Sequence, residues 1–322
     1  MEIAPCEILT AHERIKEYIH NTPVLTSELI NEISGAGLFF KCENFQKIGA
    51  FKIRGGLNAA LQLPEDKLKN GLATHSSGNH AQAIAYAAKV LKTKAYIVMP
   101  ENSPKVKVNA VKGYGAEIFF CEPTLQARED TMREVIAKTG AEFIHPYNDE
   151  RIIAGQATAA KEMIDYFDEK LSGKFDAIFA PVGGGGLLSG TLLSAEYFSK
   201  GTEVFAGEPE GAADAVYSVK SGKIEKAKFI KTVADGLLTT LGDKTLPIIK
   251  KYVKEIILVS DEEIMSALYL VYERLKIVIE PSSAVAFAAF LKRRDEFRGK
   301  KVGIIFSGGN VDLVSLSSLS SL

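Results

Sequence analysis

The sequence predicts an α/β protein built on two open parallel sheets, and three observations carry that reading. From Leu72 onward, short apolar runs alternate with turns and helical stretches, the pattern of parallel strands joined by crossover helices. The runs fall into two sets along the chain, which implies two sheets. Three turns rich in glycine or serine directly follow predicted strands, and ligands bind at the carboxyl ends of parallel strands.

Residues 7–20 have helical spacing, with Thr10 as the expected N-cap and Ile8, Ile15 and Ile19 near one face. Asn21-Thr22-Pro23 ends that helix and opens a short extended segment at Val24 and Leu25. A second short helix is expected at 27–33, ended by Gly35, and then a strand into Phe40. Lys52 follows a polar turn at Gly49 and stands at the start of a helix expected over 54–63. The first set of strands is predicted at 73–75, 95–99, 117–121 and 142–145, and the second at 177–181, 203–207, 256–259 and 302–306. Intervening helices are predicted at 80–92, 125–139, 155–170, 187–199, 261–277 and 282–293. The tail over 315–322 is biased to serine and leucine and is expected to fray or pack weakly.

Bulk properties narrow the function. A chain of 322 residues can bury a large core and favours two domains over one. A net charge of -1 gives no electrostatic case for nucleic acid or an anionic membrane surface as partner. No apolar run reaches membrane-spanning length, and the first residues, Met1-Glu2-Ile3-Ala4-Pro5, lack the features of a signal peptide. Cys6, Cys42 and Cys121 show no CxxC spacing, so they read as structural thiols in a reducing, cytoplasmic setting.

Lys52 is the first candidate for chemistry. A lysine becomes a nucleophile when its ammonium is desolvated or faces positive charge, and Lys47, Arg54 and the positive end of the helix are all expected to push that way. A solvated surface lysine is the alternative for this stretch alone. Ser76-Ser77-Gly78-Asn79-His80 follows a strand and opens a helix, so its backbone N–H groups suit an anion such as an amino-acid carboxylate. An ordinary serine or asparagine cap would read the same way. Gly183-Gly184-Gly185-Gly186 loses so much chain entropy on ordering that something must need bare backbone there. The turn lacks both the GK[ST] ending of a P-loop and the GxGxxG fingerprint, so a single phosphate fits better than a nucleotide. Ser307-Gly308-Gly309-Asn310 offers one hydroxyl at a strand end, with room for a planar ligand.

These stretches together resemble the fold-type II pyridoxal-phosphate enzymes, and within them the serine racemase and serine/threonine dehydratase group. Similarity continues through His145-Pro146-Tyr147-Asn148, Ala154-Gly155-Gln156, Val233-Ala234-Asp235-Gly236 and Ile279-Glu280-Pro281, and so spans essentially the whole chain. The resemblance implies the tryptophan synthase β-like fold, with pyridoxal 5'-phosphate in the cleft between two domains. The large domain would comprise 1–66 with 149–322, and the small domain 67–148. By the same resemblance Lys52 forms the Schiff base, Phe51 packs on the ring, Asn79 bonds the ring hydroxyl and Ser307 meets the ring nitrogen. Gly183, Gly184, Gly185 and Gly186 would hold the phosphate, while Ser76, Ser77, Asn79 and His80 would receive the substrate carboxylate.

The implied activity is racemisation of serine with β-elimination to pyruvate and ammonia. Lys52 would serve one face of Cα and Ser77 the other. The alternative is a dehydratase for L-threonine or threo-3-hydroxyaspartate without significant racemisation. Glu208, the Ala212 carbonyl and Asp214 resemble the family's divalent-cation loop and would take Mg2+, Ca2+ or Mn2+. A homodimer is expected. Tyr147, and Ile48 in place of a hydroxyl residue, weaken any inference of nucleotide activation. The short stretch after Asn310 leaves no space for a regulatory domain, so isoleucine feedback is not expected.

Overall fold

The computed structural model describes residues 3–313. Among these residues ten strands form two sheets, as the alternation predicts. The larger contains β1 (Val24–Leu25), β2 (Gly37–Cys42), β7 (Ala177–Pro181), β8 (Glu203–Pro209), β9 (Glu255–Val259) and β10 (Lys301–Phe306), in the order β1-β2-β10-β7-β8-β9. All its pairings are parallel except that of β1 with β2. The smaller contains β3 (Leu72–His75), β4 (Ala95–Pro100), β5 (Glu117–Cys121) and β6 (Glu142–Phe143), in the order β5-β4-β3-β6, all parallel.

The large sheet is buried on both faces, which explains why its strands read as continuous apolar runs. Helix Pro281–Lys292 covers one face, its Phe287 meeting Phe40 edge-on at 5.5 Å while Phe40 stacks on Phe306 at 5.0 Å. Helices Glu150–Leu171 and Gly186–Phe198 lie with the other apolar cluster, around Phe39, Met163 and Leu188. Helix Glu150–Leu171 also crosses helix Lys52–Ala60 at closest range: a Cβ on Gly155 would stand 2.6 Å from the Cα of Gly55. That crossing fixes the helix carrying Lys52 against the larger body of the protein.

Several boundaries differ from the sequence reading. The first helix is Pro5–Ile15, not 7–20; Ala4 is its N-cap rather than Thr10, because Pro5 is preorganised for the first helical position and Glu7 accepts the Ala4 N–H at 2.6 Å. The helix expected from Arg54 starts at Lys52 itself. The helix expected from Gly155 starts at Glu150, where Asp149 caps it by accepting the Arg151 N–H at 2.8 Å. Helices Lys105–Gly113 and Thr245–Tyr252 are additional to those predicted. The tail over 315–322 lies outside the described residues.

Candidate active site

Five strand ends deliver the site. β2 leads through Glu43 toward Lys52, β3 into Ser76, β7 into Gly183, β8 carries Glu208 near its end, and β10 runs into Ser307. The β10 turn is zipped to the Lys52 turn: Phe51 donates its N–H to the Ser307 carbonyl at 3.0 Å, and Gly309 donates to Gly49 at 2.9 Å.

Segment Ile144–Tyr147 gathers the parts. The Pro146 carbonyl accepts a 2.8 Å hydrogen bond from Lys52 Nζ, and the Ile144 carbonyl accepts from His80 Nε2 at 3.1 Å. The Tyr147 ring lies flush on the glycine turn, where a Cβ on Gly184 would sit 2.3 Å from it. Gly185 has φ +88°, a left-handed conformation that favours glycine. Helix Gly186–Phe198 then opens with no side chain capping it, so its first backbone N–H groups are free for an anion. Bare backbone, a positive φ and an uncapped helix end fit a phosphate group.

The Lys52 amine is deep in the site, although the residue as a whole keeps some exposure. Burial brings its pKa down to about 8, against an opposing pull from Glu280. Of the two causes the sequence offers, desolvation and neighbouring positive charge, desolvation is the one at work. Arg54 turns the other way, into a buried cluster with Glu43 and Glu162, and Lys47 exerts no comparable push. The Phe51 ring centroid is 5.2 Å from Lys52 Nζ.

Ser76 and Ser77 lie in the bend before helix Asn79–Val90, whose N-cap is Gly78. No side chain caps that helix, so neither serine is spent as a cap hydroxyl and the N–H groups of its first turn remain available. The His80 imidazole is buried and bonded to Ile144, which leaves its backbone N–H as the group it can offer an anion. Ser307 Oγ lies 3.1 Å from Ser283 Oγ, and Ser283 donates to the Gly308 carbonyl at 2.7 Å. With its own proton committed there, Ser283 can only accept from Ser307, and the Ser307 hydroxyl donates to a basic ring nitrogen by turning that one proton away from Ser283.

Sequence reasoning missed two members of the site. Asn79 Nδ2 donates to Glu280 at 2.8 Å, and Asn310 donates to Asn79 Oδ1 at 2.8 Å. Glu280 is buried, and burial followed by the charge of Asp235 pushes its carboxyl up to about 7. The motif Ile279-Glu280-Pro281 was visible, but a Glu before Pro at a helix start reads equally well as a cap.

Glu208 and Asp214 are 1% and 3% exposed. Glu208 accepts from the backbone N–H groups of Asp214, Ala215 and Val216 at 2.8, 2.5 and 3.0 Å. Asp214 Oδ2 is buried without a hydrogen-bond partner, and burial together with the Glu208 charge raises its carboxyl to about 8. Two carboxylates buried together with one oxygen unsatisfied suit a divalent cation. No group of three His, Cys, Asp or Glu converges on a point among the described residues, so carbonyls such as that of Ala212 and water would complete the shell.

A lysine deep in the fold, a bare phosphate cradle and a hydroxyl for a ring nitrogen define a pyridoxal-phosphate site. The chain belongs to the pyridoxal-phosphate dependent enzyme family, which it matches over residues 15–308. It is 51% identical to a serine racemase of Dictyostelium discoideum, over 97% of this chain and 96% of that one. It is 49% identical to a beta-hydroxyaspartate dehydratase of Paracoccus denitrificans, over 96% and 97% of the two chains. The structure of maize serine racemase superposes with a TM-score of 0.92 at 42% identity, covering 98% of this chain and 96% of that chain. No helix among the described residues is long and apolar enough to cross a membrane.

Proposed function

We propose that this chain interconverts L- and D-serine and eliminates water from serine to give aminoacrylate, which water then hydrolyses to pyruvate and ammonia. The observation that carries the reading is the Lys52 amine, held near a pKa of 8 and bonded through one segment to both the glycine cradle and the serine loop. An amine with that pKa is partly neutral at physiological pH and can take a proton. Pyridoxal phosphate, when bound, supplies an electron sink for the charge left at Cα.

The chain's own residues do the rest. Lys52 removes the Cα proton of L-serine from one face, and the Ser77 hydroxyl serves the opposite face. Backbone N–H groups at Gly183 to Gly186 hold the phosphate, and Ser307 donates to the ring nitrogen. A hydroxyl there stabilises a protonated ring less than a carboxylate would, which favours prompt loss of the β-hydroxyl. Asn79 keeps one amide proton beyond its bond to Glu280 and gives it to the ring hydroxyl. Ser76 and the backbone of Asn79 and His80 receive the substrate carboxylate.

Residues 67–148 would form the small domain around the β3–β6 sheet, and 1–66 with 149–322 the large one; sheet membership supports that division. Glu208, Asp214 and the Ala212 carbonyl would bind Mg2+ or a similar cation, and two chains would form a homodimer. Incubating the cofactor-loaded protein with L-serine, while assaying D-serine and pyruvate together, tests the reading. A second reading, elimination from a 3-hydroxyaspartate, is favoured by the beta-hydroxyaspartate dehydratase relative at 49% identity. A kcat/KM for that substrate far above that for serine would select it.

A further inference from the structure

Lys107 and Asp235 join elements that belong to the two different sheets. Lys107 lies on helix Lys105–Gly113, which follows β4 of the smaller sheet. Asp235 opens the short helix Asp235–Leu237, whose Leu237 belongs to the core of the larger sheet. Their side chains form an ion pair and hydrogen bond, with the Lys107 side chain 18% and the Asp235 side chain 50% exposed.

The two partners are held very differently. Asp235 is fixed in place: Gly236 donates its N–H to Ser282 Oγ at 2.9 Å, and Asp235 N–H to the Val233 carbonyl at 3.1 Å. Helix Lys105–Gly113 buries only Val111, so little apolar contact restrains it. Ser282 in turn lies two residues beyond Glu280, the acid that accepts from Asn79. Asn79 and Asn310 thus make a second contact between the two sheets' elements close to the first.

We propose that Lys107 and Asp235 form a latch across the cleft, a positioning pair that retains substrate by holding helix Lys105–Gly113 against the larger sheet's side. This deepens the proposed function and rests on the cleft being the substrate site. The latch also sets the charge facing Glu280. Asp235 pushes the Glu280 carboxyl up, and Lys107 and Lys52 pull it down, while Asn79 hydrogen-bonds it. Release of Lys107 therefore loosens the cleft and leaves the Asp235 charge uncompensated beside Glu280. An exposed ion pair that did neither would contribute little anywhere.

The two partners make opposite predictions, which is what makes the pair testable. In the cofactor-loaded enzyme, Lys107→Met and Asp235→Asn should each raise KM for L-serine about fivefold or more. Lys107→Arg should keep the wild-type value, and the exchanged pair Lys107→Asp with Asp235→Lys should recover most of it. The limb of the pH–rate profile that Glu280→Gln abolishes should move to higher pH in Lys107→Met and to lower pH in Asp235→Asn. Hydrogen exchange reads the latch without turnover, using glycine, which has the amino and carboxylate groups but no β-hydroxyl to lose. Glycine should protect the amides of Lys105–Gly113 in the wild type and not in Lys107→Met. Equal KM and equal exchange in wild type and variants, or limb shifts of the same sign, would overturn the latch. A wild type inactive toward serine would overturn the proposed function instead, and the exchange measurement would still decide the latch.

Discussion

Arg54 grips Glu162 through two hydrogen bonds of 2.7 Å, with side chains 0% and 4% exposed. The contact ties the helix that begins at Lys52 to helix Glu150–Leu171, behind the lysine. Glu43 takes the other edge of the guanidinium at 2.7 and 2.8 Å, and Lys41 donates to Glu162 at 2.7 Å. Burial alone would raise the Glu162 carboxyl, but Arg54 and then Lys41 outweigh it and hold the pKa at about 2.

Removing one partner from such a cluster leaves the others buried and unpaired. Glu162→Ala should therefore lose about 3–5 kcal/mol of stability. The pH dependence has a definite sign: a depressed carboxylate contributes fully above its unfolded value of 4.5, and loses that contribution as pH falls toward about 2. Urea unfolding at pH 7 and at pH 3 checks this. Wild type should lose stability between the two pH values by more than the variant does.

Lys52 carries the next expectation. Borohydride reduction of the yellow, cofactor-loaded protein should fix the cofactor on Lys52, and peptide mapping reads the position. Lys52→Ala should retain no covalently fixed cofactor after the same treatment while keeping its fold, because the Lys52 amine makes one hydrogen bond, to the Pro146 carbonyl. An adduct mapped to Lys47 would reassign the nucleophile.

Asp214 gives a prediction for the cation. With its carboxyl raised to about 8 it binds a proton at neutral pH that the unfolded chain, with a value near 3.8, does not. Without a cation the protein should lose stability as pH rises from about 4 through 8. Mg2+ should relieve that loss, release close to one proton on binding at pH 7, and raise Tm. Asp214→Asn should flatten the pH dependence and abolish the Tm response to Mg2+. A wild-type Tm indifferent to both chelator and Mg2+ would remove the site.

The parts of the site that could be read from sequence are those encoded locally. Ser76-Ser77-Gly78-Asn79-His80, the four glycines and Ser307 each sit within a few residues of a strand end, Lys52 stands at a helix start, and strand, turn and helix are short-range patterns. Glu43, Arg54 and Glu162 are spread over more than a hundred positions, and each alone reads as a solvated charge. Only the crossing of Gly55 and Gly155 brings them together. Glu280 stayed unassigned for the same reason, since Asn79 reaches it from 201 residues away. Helix Lys105–Gly113 was missed because Lys-Val-Lys-Val alternates like a strand; Pro104 at its N-cap starts it as a helix instead. Which of the two causes lowers the Lys52 pKa is not legible from sequence, because charges are visible there and burial is not.

Ser77 separates racemisation from elimination. It precedes the Gly78 N-cap, and no side chain caps the helix that follows, so its hydroxyl is not tied up in holding that helix end. If Lys52 and Ser77 serve opposite faces of Cα, Ser77→Ala should abolish D-serine formation from L-serine. Elimination from L-serine uses the Lys52 face alone and should persist, weakened only as far as the carboxylate loop is disturbed. D-serine presents its proton to the Ser77 face, so its elimination should fall together with racemisation. A positioned acid–base group contributes about a hundredfold to ten-thousandfold, well above any effect of losing a loop hydroxyl. Chiral analysis of serine, run alongside a pyruvate assay from each enantiomer, reads all three rates in one preparation. Racemisation persisting near the wild-type rate would mean that another group carries the second proton. A wild type that makes pyruvate but no D-serine would leave elimination as the activity of this site.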